Sequence, residues 1–562
     1  MNRIGSLAVT LIGGSVLTLN SCGVKSTVDT LPLRSSEIIV TSAAGAKQDS
    51  MQNVSFRPGT PSGVVVSVYP AKTKQTIDGI GTSFTESSAF VLAHLDPEKR
   101  LEVMRNIYSD KGANFTLTRT HIGSCDFSVE GRYSYADKAD DIKLESFSIA
   151  EDSNGFDPKI YPGVKDPAYD LMPMIQEALS IKRGQKDATL HIIGSAWTAP
   201  PWMKDVEDYY VGMTAENNWQ GTGGSLKPEY VGTYANYLLR YLEAYRAAGV
   251  NLWGLTPVNE PHGNNGQWES MNFTPETQSE FVQKHLGPGL RAGGFADMKL
   301  LIFDQNRDGM EHWADVLFPA DKVNKFIYGI AVHWYESTVK VYEDVFDRVH
   351  EKYPDYAIVH TEGCIDDLGK PAPAECTDPE GRTESGWFNN DAWWWGPNAS
   401  DWAYAVTWAP DWEENHPLYT PVHRYARNII KSIDHWATGW VDWNIVLDAQ
   451  GGPNHVGNFC GAPIMIDTET EFVYYTPIFD VLAQFSRTIR PGDKAVQTYQ
   501  NAKALGPDDL HSCATINAEN MLSVQLLNTS TQAIEYNLQV GTEYAAIIIP
   551  ANSVQTVRIQ LP

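Results

Sequence analysis

The sequence predicts an α/β protein, a (β/α)8 barrel with a small β-sandwich attached, and three observations predict it. Short apolar runs alternate with long helical patterns from Ile77 onward, and eight such runs can be found. The alternation stops at Pro491-Gly492, and the last stretch, Asp493 to Pro562, offers strand patterns without intervening helices. A chain of 562 residues exceeds one ordinary domain, although an α/β barrel can use well over half of it as one unit.

Taken in order, residues 1–22 have the form of a lipoprotein export signal. Arg3 supplies the positive start, Ile4 to Leu19 is an apolar run, and Leu19-Asn20-Ser21-Cys22 closes it in the manner of a lipobox, with Cys22 as the lipidated residue. Asn20 is unusual there, and an ordinary secretory signal is the alternative. The run is too short for a membrane span and contains Gly13 and Gly14. Residues 23–60 are rich in Ser, Thr, Gly and Pro, as a tether would be, and carry a strand pattern at Glu37-Ile-Ile-Val-Thr41. Residues 61–76 hold a second, Val64-Val-Val-Ser-Val68, expected to join the β-sandwich at 493–562.

Between them, 77–492 is the expected barrel. Its strand runs are Gly79-Ile-Gly81, Asn114 to Arg119, Leu190 to Gly194, Asn251 to Val258, Lys299 to Phe303, Phe326 to Val332, Tyr356 to His360 and Gly439 to Asp442. Stretches such as Tyr230 to Ala248 and Thr274 to His285 read as helices.

Composition narrows the function classes. With 69 acidic against 43 basic side chains, a net charge of -26 repels nucleic acid and anionic membrane surfaces. A neutral or cationic partner fits better, and membrane attachment is expected only through the N-terminal lipid. Hydrophobic residues make up 42% of the chain and include 17 tryptophans, enough for a large core with rings left over for a cleft. Apart from Cys22, the cysteines are Cys125, Cys364, Cys376, Cys460 and Cys513, an odd set without a CxxC spacing. Neither a disulfide framework nor a zinc site is indicated, and no metal or cofactor is expected.

In a barrel the C-terminal ends of the strands face the active site. Those ends supply Glu86, Arg119, Trp197, Asn259 with Glu260, His333 with Tyr335, Glu362, and Trp443 with Asn444. Taken alone, Asn259 and Glu260 could simply be the polar mouth of a loop that Pro261 stops, and any single glutamate could belong to a structural ion pair. Two glutamates on one rim are, however, what a glycosidase needs: one protonates the leaving oxygen and the other attacks the anomeric carbon. A carboxylate beside Arg119 should stay ionised, which suits Glu362 as nucleophile. One against aromatic walls should keep its proton, which suits Glu260 as acid. Asn259 is placed to bond the sugar 2-hydroxyl.

The segments Gly79-Ile-Gly-Thr-Ser-Phe-Thr-Glu86, Ser124-Cys-Asp-Phe-Ser128, Trp197-Thr-Ala-Pro-Pro-Trp202, Asn259-Glu-Pro261, His333-Trp-Tyr335, Gly439-Trp-Val-Asp-Trp-Asn444, Gly451-Gly-Pro-Asn-His-Val-Gly-Asn458 and Pro463-Ile-Met-Ile-Asp467 resemble glycoside hydrolase family 30, in its glucosylceramidase branch. The resemblance is collinear from Ile77 to Gly492. It implies a retaining, exo-acting β-glucosidase with Glu260 as acid/base and Glu362 as nucleophile. It also implies that Arg119, Trp197, Asn259, His333, Tyr335, Trp443 and Asn458 line the glucose pocket. Glu86 falls where the branch carries an aspartate that holds the distal hydroxyls.

Between Glu362 and Trp443 the chain departs from that pattern by inserting a segment with Trp387, Trp393, Trp394, Trp395, Trp402, Trp408 and Trp412. Such rings stack on sugars, pack lipid chains, or form a satellite core beneath a long loop. The expected substrate is accordingly a glycolipid such as glucosylceramide, with a β-1,6-linked glucan as the alternative. A non-catalytic glycan-binding lipoprotein is the rival class, and the presence of both glutamates speaks against it.

Overall fold

The computed structural model describes residues 35–337, 339–366, 387–397, 419–501 and 509–562. Cys22, Cys376, Trp402, Trp408 and Trp412 lie outside the described residues.

Eight parallel strands close into a barrel: β1 (Gly79–Phe84), β2 (Leu117–Ile122), β3 (His191–Ala196), β4 (Gly254–Thr256), β5 (Lys299–Asn306), β6 (Ile327–His333), β7 (Ala357–Glu362) and β8 (Ala437–Asn444). The ring closes where β8 pairs with β1, Gly439 opposite Gly79 and Trp440 opposite Ile80. All eight strands fall where apolar runs predict them, but their ends differ. β4 is only three residues long because Pro257 has no N–H to give to a ladder. β7 and β8 each run two residues further, so Thr361, Glu362, Trp443 and Asn444 sit on strands instead of loops.

Side chains alternate inward and outward along each strand, which sorts the barrel interior into layers. One layer is apolar: Leu117, Ile193, Leu301, Ala331, Val359 and Val441 form a buried cluster of their own. Two residues further toward the C-terminal end stand Arg119, Ser195, His333, Thr361 and Trp443. The polar groups of the site therefore rest on a dry floor.

β5 breaks this alternation. Ala331 of β6 pairs with Phe303 but Val332 pairs with Gln305, which leaves Asp304 as an extra residue in a β-bulge. Phe303 and Asp304 both take positive φ, 72° and 64°. Phe303 turns its N–H to the Gln278 side chain at 3.0 Å and its ring to Trp313, while Asp304 takes the inward position that simple alternation would have given to Phe303.

Strands from both ends of the chain share one ten-stranded sheet, which forms the β-sandwich domain. Ser36–Ser42 pairs antiparallel with Ser553–Gln560, and Val65–Thr76 lies between Lys494–Gln500 and Ile534–Val540. Its core buries Ile38, Val66, Leu522, Leu526, Tyr536 and Val557, among others.

The helix Pro477–Thr488 joins the two bodies. Eleven of its twelve residues are buried. Gln484 bonds Thr41 at 2.7 Å and Thr556 at 2.9 Å on the sandwich side, while Ser486 bonds the Asn114 carbonyl at 3.2 Å on the barrel side. No helix among the described residues is long and apolar enough to cross a membrane.

The glycines of Gly79-x-Gly81 serve packing. A Cβ at Gly81 would stand 2.0 Å from the Leu117 carbonyl oxygen. Gly81→Ala is expected to force β1 from β2 and cost about 3 kcal/mol, read as a lower urea midpoint with an unchanged slope.

Candidate active site

Asn259 and Glu260 follow β4 on a sharp turn. Glu260 takes a positive φ of 48°, and its N–H is held by the Asp304 carbonyl at 2.9 Å, while Asn259 N–H donates to the Ala196 carbonyl at 2.6 Å. The bulged β5 and the end of β3 thus aim the two side chains inward. Glu362 comes from the last position of β7, across the barrel. Oxygens of Glu260 and Glu362 lie within 4.8 Å of each other. So close an approach suits the carboxyl pairs of retaining enzymes, which stand roughly 5–5.5 Å apart.

Both oxygens of Glu362 accept strong donors: Arg119 Nη1 at 2.5 Å and the Tyr335 hydroxyl at 2.9 Å. Burial nonetheless holds the Glu362 carboxyl above its ordinary value, with Glu260 and Asp304 adding to the effect and His333 and Arg119 opposing it. Arg119 alone does not settle the charge of Glu362 because the guanidinium is shared. Its Nη2 also donates to Asn259 Oδ1 at 2.6 Å, Asp304 Oδ2 at 2.8 Å and Ser195 Oγ at 3.0 Å. Burial works against the Arg119 cation, but Asp304 and Glu362 more than restore it. Trp197 and Trp443 stack at 5.2 Å, and their rings lie 4.7 and 5.5 Å from the Arg119 guanidinium.

The partner of Glu260 is His333, whose Nδ1 lies 3.1 Å from Glu260 Oε1 while Nε2 lies 3.0 Å from Asp304 Oδ1. Burial lowers the His333 pKa, yet Glu362, Asp304 and Glu260 together carry it up to about 9. At neutral pH both nitrogens therefore donate.

Asp304 accepts from five side chains: Arg119, Ser195, Thr256, His333 and Thr361. Burial would raise its pKa, but Arg119 and His333 hold it well below the usual carboxylate range. The apolar run that predicts β5 ends at Phe303, one residue short of Asp304. No alternation rule brings Asp304 inward, because a bulge does.

Of the residues predicted for the site, Arg119, Trp197, Asn259, Glu260, His333, Tyr335, Glu362 and Trp443 come together. Asn458 reaches it through Asp126, whose Oδ2 accepts from Asn458 Nδ2 at 2.8 Å. Asp126 is buried next to Glu362, and burial, then that neighbour, pushes its carboxyl up to about 8.

Glu86 lies at the turn that follows Asp126. Its carboxylate accepts from Val129 N–H at 3.2 Å, and burial with nearby Asp170 pushes it up to about 8. Asp126, from the Ser124-Cys-Asp-Phe-Ser128 segment after β2, is a further acid that feels Glu362. Glu86 opens the helix Glu86–Ala93, and its carboxylate meets the 128–129 turn.

The described tryptophans of the insertion form a core. Trp387 and Trp394 are buried and stacked at 6.2 Å, and Trp394 Nε1 donates to the Trp387 carbonyl at 3.0 Å. Gly451 and Gly461 make room for them, since a Cβ there would meet the ring edges at 2.9 and 2.8 Å.

Family models decide the relationship. The model described as "Glycosyl hydrolase family 30 TIM-barrel domain" matches residues 77–372 and 412–489, and that for the "Glycosyl hydrolase family 30 beta sandwich domain" matches 495–557. The chain belongs to glycoside hydrolase family 30.

This family 30 enzyme is 27% identical to the "Lysosomal acid glucosylceramidase" of Mus musculus over 482 residues, covering 84% of the chain and 79% of the relative. It is 24% identical to the "Endo-1,6-beta-D-glucanase" of Neurospora crassa, covering 77% and 75%. Among solved structures, SrfJ from Salmonella typhimurium shares the fold with a TM-score of 0.75 at 23% identity, covering 94% of this chain and 100% of that one. The chain is a retaining O-glycosyl hydrolase, as its family is.

Among the described residues, Glu260, His333 and Glu362 are also spaced as cation ligands would be. In this family 30 site those atoms already answer to one another, His333 to two carboxylates and Glu362 to Arg119 and Tyr335.

The charge cluster sets a pH expectation. Because His333 is raised from 6.5 to about 9 on folding, its contribution to stability is full below about pH 6.5 and is lost as pH rises through about 9. Asp304→Asn should flatten that alkaline decline in melting temperature and lower kcat about 100-fold by loosening Arg119 and His333. Identical pH profiles for the two proteins would refute the account.

Proposed function

We propose that the enzyme is an exo-acting β-D-glucosidase of the glucosylceramidase type, working through a glucosyl ester on Glu362. The observation that carries this reading is the Glu260–Glu362 pair, close together and differently held. A Glu362 oxygen attacks the anomeric carbon as the bond to the leaving oxygen breaks, and Glu260 gives that oxygen a proton. Glu260 then takes a proton from water, which attacks the same carbon and releases Glu362. Arg119 and Tyr335 fix the direction of the attacking oxygen. His333 stabilises the carboxylate that Glu260 becomes after giving up its proton. Asn259 directs its carbonyl to Arg119, so the side chain offers amide donors to the sugar 2-hydroxyl. Asp126, with Asn458, is placed to take hydroxyls further round the ring.

Glucosylceramide is the substrate that the curated glucosylceramidase relatives suggest. A β-1,6-linked glucan is the second reading. The relationship to an endo-1,6-glucanase favours it, as do a net charge of -26, which opposes approach to an anionic bilayer, and the burial of Trp387, Trp394 and Trp395 among the described residues of the insertion.

Glucose release from glucosylceramide in detergent, beside a β-1,6-glucan, decides between them. The first-formed sugar should be the β-anomer by NMR, and Glu362→Gln should lose at least about 10⁴-fold in kcat. An α-anomer at first turnover would overturn the mechanism.

The N-terminal sequence supports the further proposal that Cys22 carries the lipid anchor of an exported protein. Cys22→Ser should move the enzyme from the membrane fraction to the soluble fraction with unchanged kcat; retention of the variant on membranes would count against an anchor.

A further inference from the structure

We propose that Cys364 and Cys460 are joined by a disulfide in the exported enzyme, a cross-link that pins the strand end carrying Glu362. Cys364 lies two residues past Glu362, and its sulfur is 3.4 Å from that of Cys460. Both side chains are buried, 3% and 2% exposed. The backbones are already paired there: Ile365 lies opposite Gly461 and Asp366 opposite Cys460 in an antiparallel ladder. Reaching the roughly 2.05 Å of an S–S bond needs the sulfurs to approach by about 1.4 Å.

The place matters for catalysis. The Tyr335 hydroxyl that donates to Glu362 Oε1 is 3.5 Å from Cys364 Sγ. The bond would close a loop running from Ile365 to Phe459, which includes the insertion whose Trp394 ring packs on Gly461, next to Cys460. A loop that long gives a cross-link a large effect on the unfolded chain.

The chemistry is thiol–disulfide exchange with a disulfide-bearing oxidant of the compartment outside the cytoplasm. One cysteine thiolate attacks the oxidant's disulfide, forming a mixed disulfide and expelling one thiol. The second cysteine thiolate attacks the mixed disulfide and expels the other. Two electrons pass to the oxidant, and the two cysteine protons leave on its two thiols. Because both sulfurs are buried in the folded chain, the exchange takes place during folding.

The proposal uses the export reading only for the source of oxidant, and refolding in vitro tests it apart from that reading. The full chain is unfolded, refolded in a glutathione redox buffer, blocked with N-ethylmaleimide in denaturant, digested and mapped by mass spectrometry. The expected result is one peptide pair linking Cys364 to Cys460, with neither labelled. Reduction should then lower the melting temperature by about 3 °C, a difference absent in Cys460→Ala. Labelling of both cysteines, or linkage of Cys364 to Cys376, would overturn the proposal. The map is read on the unaltered chain, so it stands even if the variant folds poorly.

Discussion

The site depends on one buried carboxylate that itself does not face the scissile bond. Asp304 neutralises Arg119 and His333, two cations that would be costly to bury alone, and each of them holds one of the paired glutamates. Its backbone carbonyl also holds the Glu260 N–H. Three hydroxyls, Ser195 on β3, Thr256 on β4 and Thr361 on β7, complete its hydrogen bonding. The two glutamates are therefore placed by a shared counter-charge as well as by their own strands.

That arrangement separates the two acids chemically. Glu362 receives one guanidinium nitrogen and a phenol, a pair of donors that orients both its oxygens, while burial raises its carboxyl above the ordinary value. Glu260 is less enclosed and shares a proton-rich neighbour, His333, whose charge is secured from behind by Asp304. A low-dielectric floor of six apolar side chains beneath the layer strengthens every one of these interactions.

The β-sandwich has a mechanical part in this. Val65–Thr76 runs from the sandwich directly into β1, and Gln75 bonds the carbonyls of Ile433 and Ala437 at 2.7 and 2.8 Å just where β8 begins. The seam at which the barrel closes is thus braced from outside by the strand Val65–Thr76.

Much of this is legible in the sequence. Apolar runs alternating with helical patterns are local signals, so the barrel, its eight strands and the glutamates at two of their ends can be read from spacing alone. The tryptophan insertion shows the limit: ring-rich composition is the same for a sugar wall and a buried core, and only glycine notches at 451 and 461 reveal the core. Asp126 shows it again, since nothing in its local pattern tells that it feels Glu362 across the barrel mouth. Asp304 escapes such a reading because a bulge shifts the inward face by one residue without leaving a pattern. Residue order alone fixes which side-chain types stand at the barrel mouth. Which of them share charge and protons emerges only on folding, because that depends on distances between strands far apart in the chain.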